Sequence, residues 1–137
     1  MENGYSNSWR PRVLAILRIV TAYLFTVHGA AKLFGVPYQK MFEGVQLMSM
    51  MGLAGVLEFF GGLLILIGLF TRPVAFVLCG FMAVAYFMAH ASQGNPLLPL
   101  LNGGELAVMY CFVFLYFVFA GAGEWSVDAV MQRYRNY

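Results

Sequence analysis

Four apolar runs, over residues 13–33, 52–70, 73–90 and 105–122, account for most of this 137-residue chain. Each is close to the roughly 20 residues that an α-helix needs to cross a hydrocarbon core about 30 Å thick. Backbone N–H and C=O groups find no water inside that core, so a spanning segment must be a helix or a strand of a closed barrel. The runs lack the two-residue alternation of barrel strands, and four segments are too few to close one. The sequence therefore predicts an all-α fold, a four-transmembrane-helix antiparallel bundle forming a single domain, with a short tail over 124–137.

Composition agrees. The chain is 61% hydrophobic and 17% aromatic, and only 10% of its residues are charged. A soluble domain averages roughly 25% charged residues, and a chain of this size leaves much of its surface exposed. A disordered chain is excluded by the apolar content, and a nucleic-acid binder by a net charge of only +2. The lipid bilayer is thus the first expected partner. The run from Val13 outlasts a signal-peptide core and has no small-residue cleavage site followed by a soluble domain, so it reads as a permanent span.

Arg10, Arg12, Arg72, Arg133 and Arg135 fall at one set of span ends, and Lys32 and Lys40 at the other. The positive-inside rule then places both termini in the cytoplasm, with Trp9 and Trp125 at that interface. Thr71-Arg72-Pro73 reads as the tight turn of a helical hairpin. The stretch from Gly35 to Met51, with Pro37, Lys40, Glu43 and several methionines, is expected to lie at the interface as a short amphipathic helix. Residues 92–104 read as an irregular loop, and Ser126 as the N-cap of a tail helix with Asp128 in its first turn.

Six ionisable side chains lie in or against the spans: Arg18, His28, Lys32, Glu58, His90 and Glu105. A charge at the centre of a span costs roughly 2.5–3.5 kcal/mol on insertion scales, so each such group calls for a partner or a function. In the orientation above, all but Arg18 gather in the outer half. Helical phase puts Arg18, Phe25, His28 and Lys32 on one stripe. Glu58 shares a face with the small residues Gly55 and Gly62, and Cys79, Ala83, Tyr86 and His90 form a further stripe. The expected result is a polar pocket facing the outer leaflet. It suits a quinone, whose ring oxygens need hydrogen-bonding and proton-exchanging partners. His28 and Glu58 are the candidate catalytic residues; Arg18, Lys32, His90 and Glu105 are the candidate ligand-binding residues.

Structural readings compete with these. Asn102 and Glu105 fit a capping box at the start of the fourth helix, Arg18 and Lys32 could snorkel, and the whole set could be a structural polar network. Haem is disfavoured because His28 and His90 come with no haem motif. No metal site is expected: the Glu-x-x-His spacing of di-iron bundles is missing, and Met41, Met48, Met50 and Met51 suit interfacial packing better than Cu(I) binding. Counted from the outer helix ends, Cys79 and Cys111 differ in depth by about 7–8 Å, so no disulfide is expected.

Several segments, in order, resemble the DoxX family of small bacterial membrane proteins. They are Arg18, His28-Gly29-Ala30-Ala31-Lys32-Leu33, Glu58-Phe59-Phe60-Gly61-Gly62-Leu63-Leu64, Gly68-Leu69-Phe70-Thr71-Arg72, His90, Asn102-Gly103-Gly104-Glu105 and Gly121-Ala122-Gly123-Glu124-Trp125-Ser126-Val127-Asp128. The resemblance implies a four-helix protein of the bacterial cytoplasmic membrane associated with oxidoreductase or respiratory-chain activity. A similar subunit belongs to an archaeal thiosulfate:quinone oxidoreductase, and mycobacterial relatives are linked to a membrane redox complex that handles oxidative stress. The wider grouping also resembles eukaryotic cargo-receptor membrane proteins, which are not enzymes. The sequence reading that follows is a quinone-linked redox membrane subunit. With no dinucleotide fingerprint or soluble redox module, it would draw electrons through other membrane or redox subunits, or act as a homo-oligomer. The alternative is a non-catalytic membrane adaptor or accessory subunit. Transport of a small solute ranks last, because four helices leave little room for a water-filled path.

Overall fold

The computed structural model describes residues 4–135, with side chains from Ser8 onward. The tail expected over 124–137 is therefore followed as far as Arg135, and its last two residues lie outside the described part. All the regular elements described are helical: α1 (Gly4–Phe34), α2 (Met50–Ile67), α3 (Thr71–Ala85), α4 (Pro99–Asn102), α5 (Glu105–Ala120) and α6 (Val127–Arg135). A π-helical turn, Tyr86–His90, and a 3-10 turn, Ala91–Gln93, extend α3, and a 3-10 turn at Lys40–Phe42 interrupts the connection after α1. Three helices, Ser8–Phe34, Met50–Ile67 and Thr71–Gln93, are long and apolar enough to cross a membrane, and Glu105–Ala120 is a shorter apolar helix. The chain forms two compact units, one comprising the residues up to Thr71 and those from Ala122 onward, the other Arg72–Gly121.

In the first unit α1 and α2 pack antiparallel. The register is set by small residues: a Cβ on Gly55 would sit 3.0 Å from the Lys32 side chain, and one on Gly62 would lie 3.0 Å from the Thr26 backbone nitrogen. Gly29 is the closest approach, where an added Cβ would meet the backbone of Glu58 and Phe59. Such contacts let two helix backbones come together without large side chains between them. The buried positions of α2, Gly52, Gly55, Glu58, Gly62 and Ile65, recur every three or four residues. Glu58 does share its face with Gly55 and Gly62.

Helix ends follow local chemistry. The Ser49 hydroxyl accepts the Gly52 N–H at the start of α2. At its end Gly68 adopts φ 69°, and its N–H and that of Leu69 return to the Ile65 and Leu64 carbonyls, a Schellman closure. The break between α2 and α3 therefore falls at 68–70, three residues earlier than the turn expected at Thr71-Arg72-Pro73. Those three residues are already helical, because a proline in a first turn has no N–H to leave unpaired. The connection over 35–49 is not an amphipathic helix: Gly35 and Gly44 take positive φ and Pro37 lies between them, so only the single 3-10 turn forms. The stretch 92–104 holds more order than expected, with the 3-10 turn to Gln93 and the four-residue α4.

In the second unit α3 and α5 are antiparallel. Arg72 Nη1 donates to the Val118 carbonyl at 3.3 Å, Cys79 meets Cys111, and Gly104 lies against the Tyr86 ring. The core is Ala75, Leu78 and Met82 on one helix with Tyr110, Phe114 and Phe117 on the other. In both units the outward faces are apolar, from Val20 and Tyr23 on α1 to Phe76 on α3 and Phe112 and Phe119 on α5. Large apolar side chains exposed over helices of this length are the mark of surfaces solvated by lipid.

Candidate functional site

Three buried polar arrangements stand out, two in the first unit and one in the second. The first surrounds Arg18, which is fully buried. Its Nε donates to the Ala122 carbonyl at 2.8 Å, Nη1 to the carbonyls of Ile65 (2.7 Å) and Leu66, and Nη2 to those of Trp125 (2.8 Å) and Glu124 (3.5 Å). All five N–H donors of the guanidinium thus meet backbone carbonyls. Ile65 and Leu66 close α2, where helical carbonyls lack intrahelical partners and the helix dipole favours a cation. Ala122 to Trp125 are the irregular stretch before α6. The guanidinium therefore ties the tail to the end of α2.

The same end carries further tail contacts. The Asp128 carboxylate accepts the backbone N–H groups of Phe70 and Thr71, both at 2.9 Å. Ser126 caps α6 as expected, its hydroxyl accepting the Ala129 N–H at 3.1 Å. Arg12 pairs with Glu124 at 3.3 Å, but both side chains are exposed, and such surface pairs contribute about 0–1 kcal/mol.

The second arrangement lies at the opposite end of α1. Lys32 Nζ stands 2.6 Å from Glu58 Oε1, with side-chain exposures of 11% and 7%. The other carboxylate oxygen, Oε2, is buried and has no hydrogen-bond partner among the described residues. Lys32 Nζ also lies 5.4 Å from the centre of the Phe42 ring, within cation–π range. Lys32, but not Glu58, lines an open cavity of about 270 Å³, walled also by Tyr38, Gln39, Phe42 and Glu43. The loop supplying most of that wall is the one expected to be an interfacial helix, so no pattern in the residues announced it. His28 is half-buried one helical turn before Lys32.

The third arrangement is centred on the π-helical turn. The Tyr86 hydroxyl donates to the Pro96 carbonyl at 2.8 Å and accepts from the Asn102 side-chain amide at 3.0 Å. His90 stacks on Tyr86, and its Nδ1 is 3.3 Å from the Asn102 carbonyl. Asn102 does not cap α5. It ends α4, its side-chain oxygen accepts the Gly104 N–H, and Gly104 itself holds the N-cap position without a side-chain bond. A residue in the last turn of one helix lacks the extended backbone that an N-cap requires. Glu105 is exposed in the first turn of α5, where the helix dipole favours a carboxylate.

Of the six candidate residues, Lys32 and Glu58 are brought into contact, with His28 adjacent in the first unit. Arg18 lies about 21 Å further down α1, at 1.5 Å per residue, and its donors are all occupied. His90 and Glu105 belong to the second unit. Tyr86 and Asp128 are the polar groups whose connections sequence reading missed: Tyr86 was visible only as a stripe partner of His90, and Asp128 only as a first-turn acid. The two cysteines touch at 3.7 Å, although depth counting had separated them. Counting inward from the outer ends fails because those ends are not level: Gly104, just before α5, lies against Tyr86 and not beside His90, so α3 overhangs the start of α5.

Apolar-faced helices of this length with buried charge define an integral membrane protein. The chain belongs to the DoxX family, whose model matches residues 13–91, more than half of its length. That segment includes Arg18, His28, Lys32, Glu58 and His90. An uncharacterized protein of Haemophilus influenzae is 48% identical over 122 residues, covering 88% of this chain and 91% of its own. An Escherichia coli K12 protein named inner membrane protein YqjF is 29% identical over 126 residues, covering 86% and 91%. No solved structure matches the chain.

Proposed function

We propose that this DoxX-family protein is a quinone-linked redox subunit of the bacterial inner membrane, with four spans, a single functional domain and both termini in the cytoplasm. The observation that carries the reading is the Lys32–Glu58 pair, whose lysine lines the cavity and whose Glu58 Oε2 is buried and unpaired among the described residues. An unpaired carboxylate oxygen in an apolar helix is costly unless something completes it. A quinol hydroxyl would donate to Oε2, and the Lys32 ammonium would donate to a quinone carbonyl. His28, one turn away, would pass the second proton. His90 and Glu105 keep the ligand-binding role proposed for them from the sequence, and Arg18 would balance charge through the carbonyl ends it holds.

The membrane assignment draws support from the E. coli relative's name, and the orientation from the side of the arginines. The quinone itself supplies the electron chemistry when bound, while partner subunits supply or remove the electrons. The test is a titration of the purified protein in lipid nanodiscs with ubiquinone-1. Saturable binding is expected, weakened at least tenfold in Glu58→Gln and Lys32→Gln. Absence of saturable binding to the wild-type protein refutes the reading and leaves an accessory-subunit role.

A further inference from the structure

Cys79 on α3 and Cys111 on α5 are the chain's two cysteines, and both are free thiols. Their Sγ atoms are 3.7 Å apart across the helix pair of the second unit. A disulfide requires about 2.05 Å, so closure needs an approach of about 1.7 Å between the sulfurs. The facing is set by register: Arg72 with Val118 on one side and Tyr86 with Gly104 on the other hold the two positions level. Both thiols are partly exposed, next to the outward-facing Phe112 on α5 and Gly80 on α3.

We propose that Cys79 and Cys111 form an intramembrane dithiol–disulfide couple whose acceptor is a lipid-soluble quinone. Two S–H bonds break and one S–S bond forms. The two electrons and two protons released reduce the quinone carbonyls to the hydroxyls of a quinol, so the exchange balances with no other reactant. The choice of oxidant rests on the quinone reading above; the couple itself rests on the sulfur geometry.

The test uses the whole protein in liposomes, reduced and then held without oxygen. It is exposed to ubiquinone-1, denatured in the presence of N-ethylmaleimide, and weighed by intact-mass spectrometry. The expected product has lost the mass of two hydrogen atoms and carries no maleimide, with one quinol formed per protein. Cys79→Ser and Cys111→Ser should each keep one alkylated thiol. Two maleimides on the wild-type protein after quinone treatment overturn the proposal, even if the membrane-permeant oxidant diamide closes the bond. Quinone titration of the double Cys79→Ser/Cys111→Ser protein reads the Lys32–Glu58 site separately, so either idea can fail without the other.

Discussion

Replacing Arg18 with methionine removes the cation while keeping an unbranched, bulky side chain in its place. Of the carbonyls it holds, Ile65 also accepts the Gly68 N–H, and the Glu124 bond is long at 3.5 Å. Those of Leu66, Ala122 and Trp125 have no other donor among the described residues. A buried polar group left unpaired costs about 1–3 kcal/mol, so three give about 3–9 kcal/mol. Against this, the variant no longer carries the several kcal/mol of desolvating a guanidinium. The net expected loss is about 2–4 kcal/mol. Arg18→Lys keeps the charge with three donors in place of five, and should lose about 1–2 kcal/mol. SDS titration in mixed micelles, followed by far-UV circular dichroism, measures both. The reasoning fails if Arg18→Met unfolds within about 0.5 kcal/mol of wild type, or if the lysine variant is no better than the methionine one.

Three further outcomes are expected from the same assay. Gly29→Ala drives a Cβ into the Glu58–Phe59 backbone and should cost about 1–3 kcal/mol, whereas Gly80→Ala, with open space around it, should be neutral or gain up to about 1 kcal/mol of helix propensity. Asp128→Ala frees the Phe70 and Thr71 N–H groups and should cost about 1–2 kcal/mol, with Asp128→Asn intermediate because it keeps one acceptor. Lys32→Met and Glu58→Met should each destabilise by about 3–5 kcal/mol, while the double replacement recovers most of that loss. Quinone binding should stay weakened at least tenfold in the double variant, which separates the pair's role in folding from its role in function.

Much of the helical framework was legible because membrane helices must be long, apolar and internally hydrogen-bonded. The run at 52–70 corresponds to α2 within a few residues and that at 13–33 lies inside α1, which starts nine residues earlier at Gly4; the glycine face of α2 followed from a 3.6-residue period. Glu58 was visible for the same reason: one carboxylate in an apolar helix contradicts its surroundings. The connections were less legible. Proline and glycine announced breaks at 35–44 without saying that the loop would fold beside Lys32, and Pro73 suggested a turn where it opens a helix.

What the sequence determined by itself is the solvent, the helices and the short set of charges that must be accounted for. These depend on composition and local period, which act within a few residues of chain. What tertiary structure decided is the partner of each charge. Arg18 and Lys32 lie on one stripe of α1, yet one is spent on carbonyls of α2 and the tail, and the other on Glu58. Backbone carbonyls carry no signature in the sequence, because every residue has one. Only the arrival of the end of α2 and of residues 122–125 beside Arg18 selects the five that it binds. The level meeting of Cys79 and Cys111 is likewise a matter of register, set by where α3 ends and α5 begins.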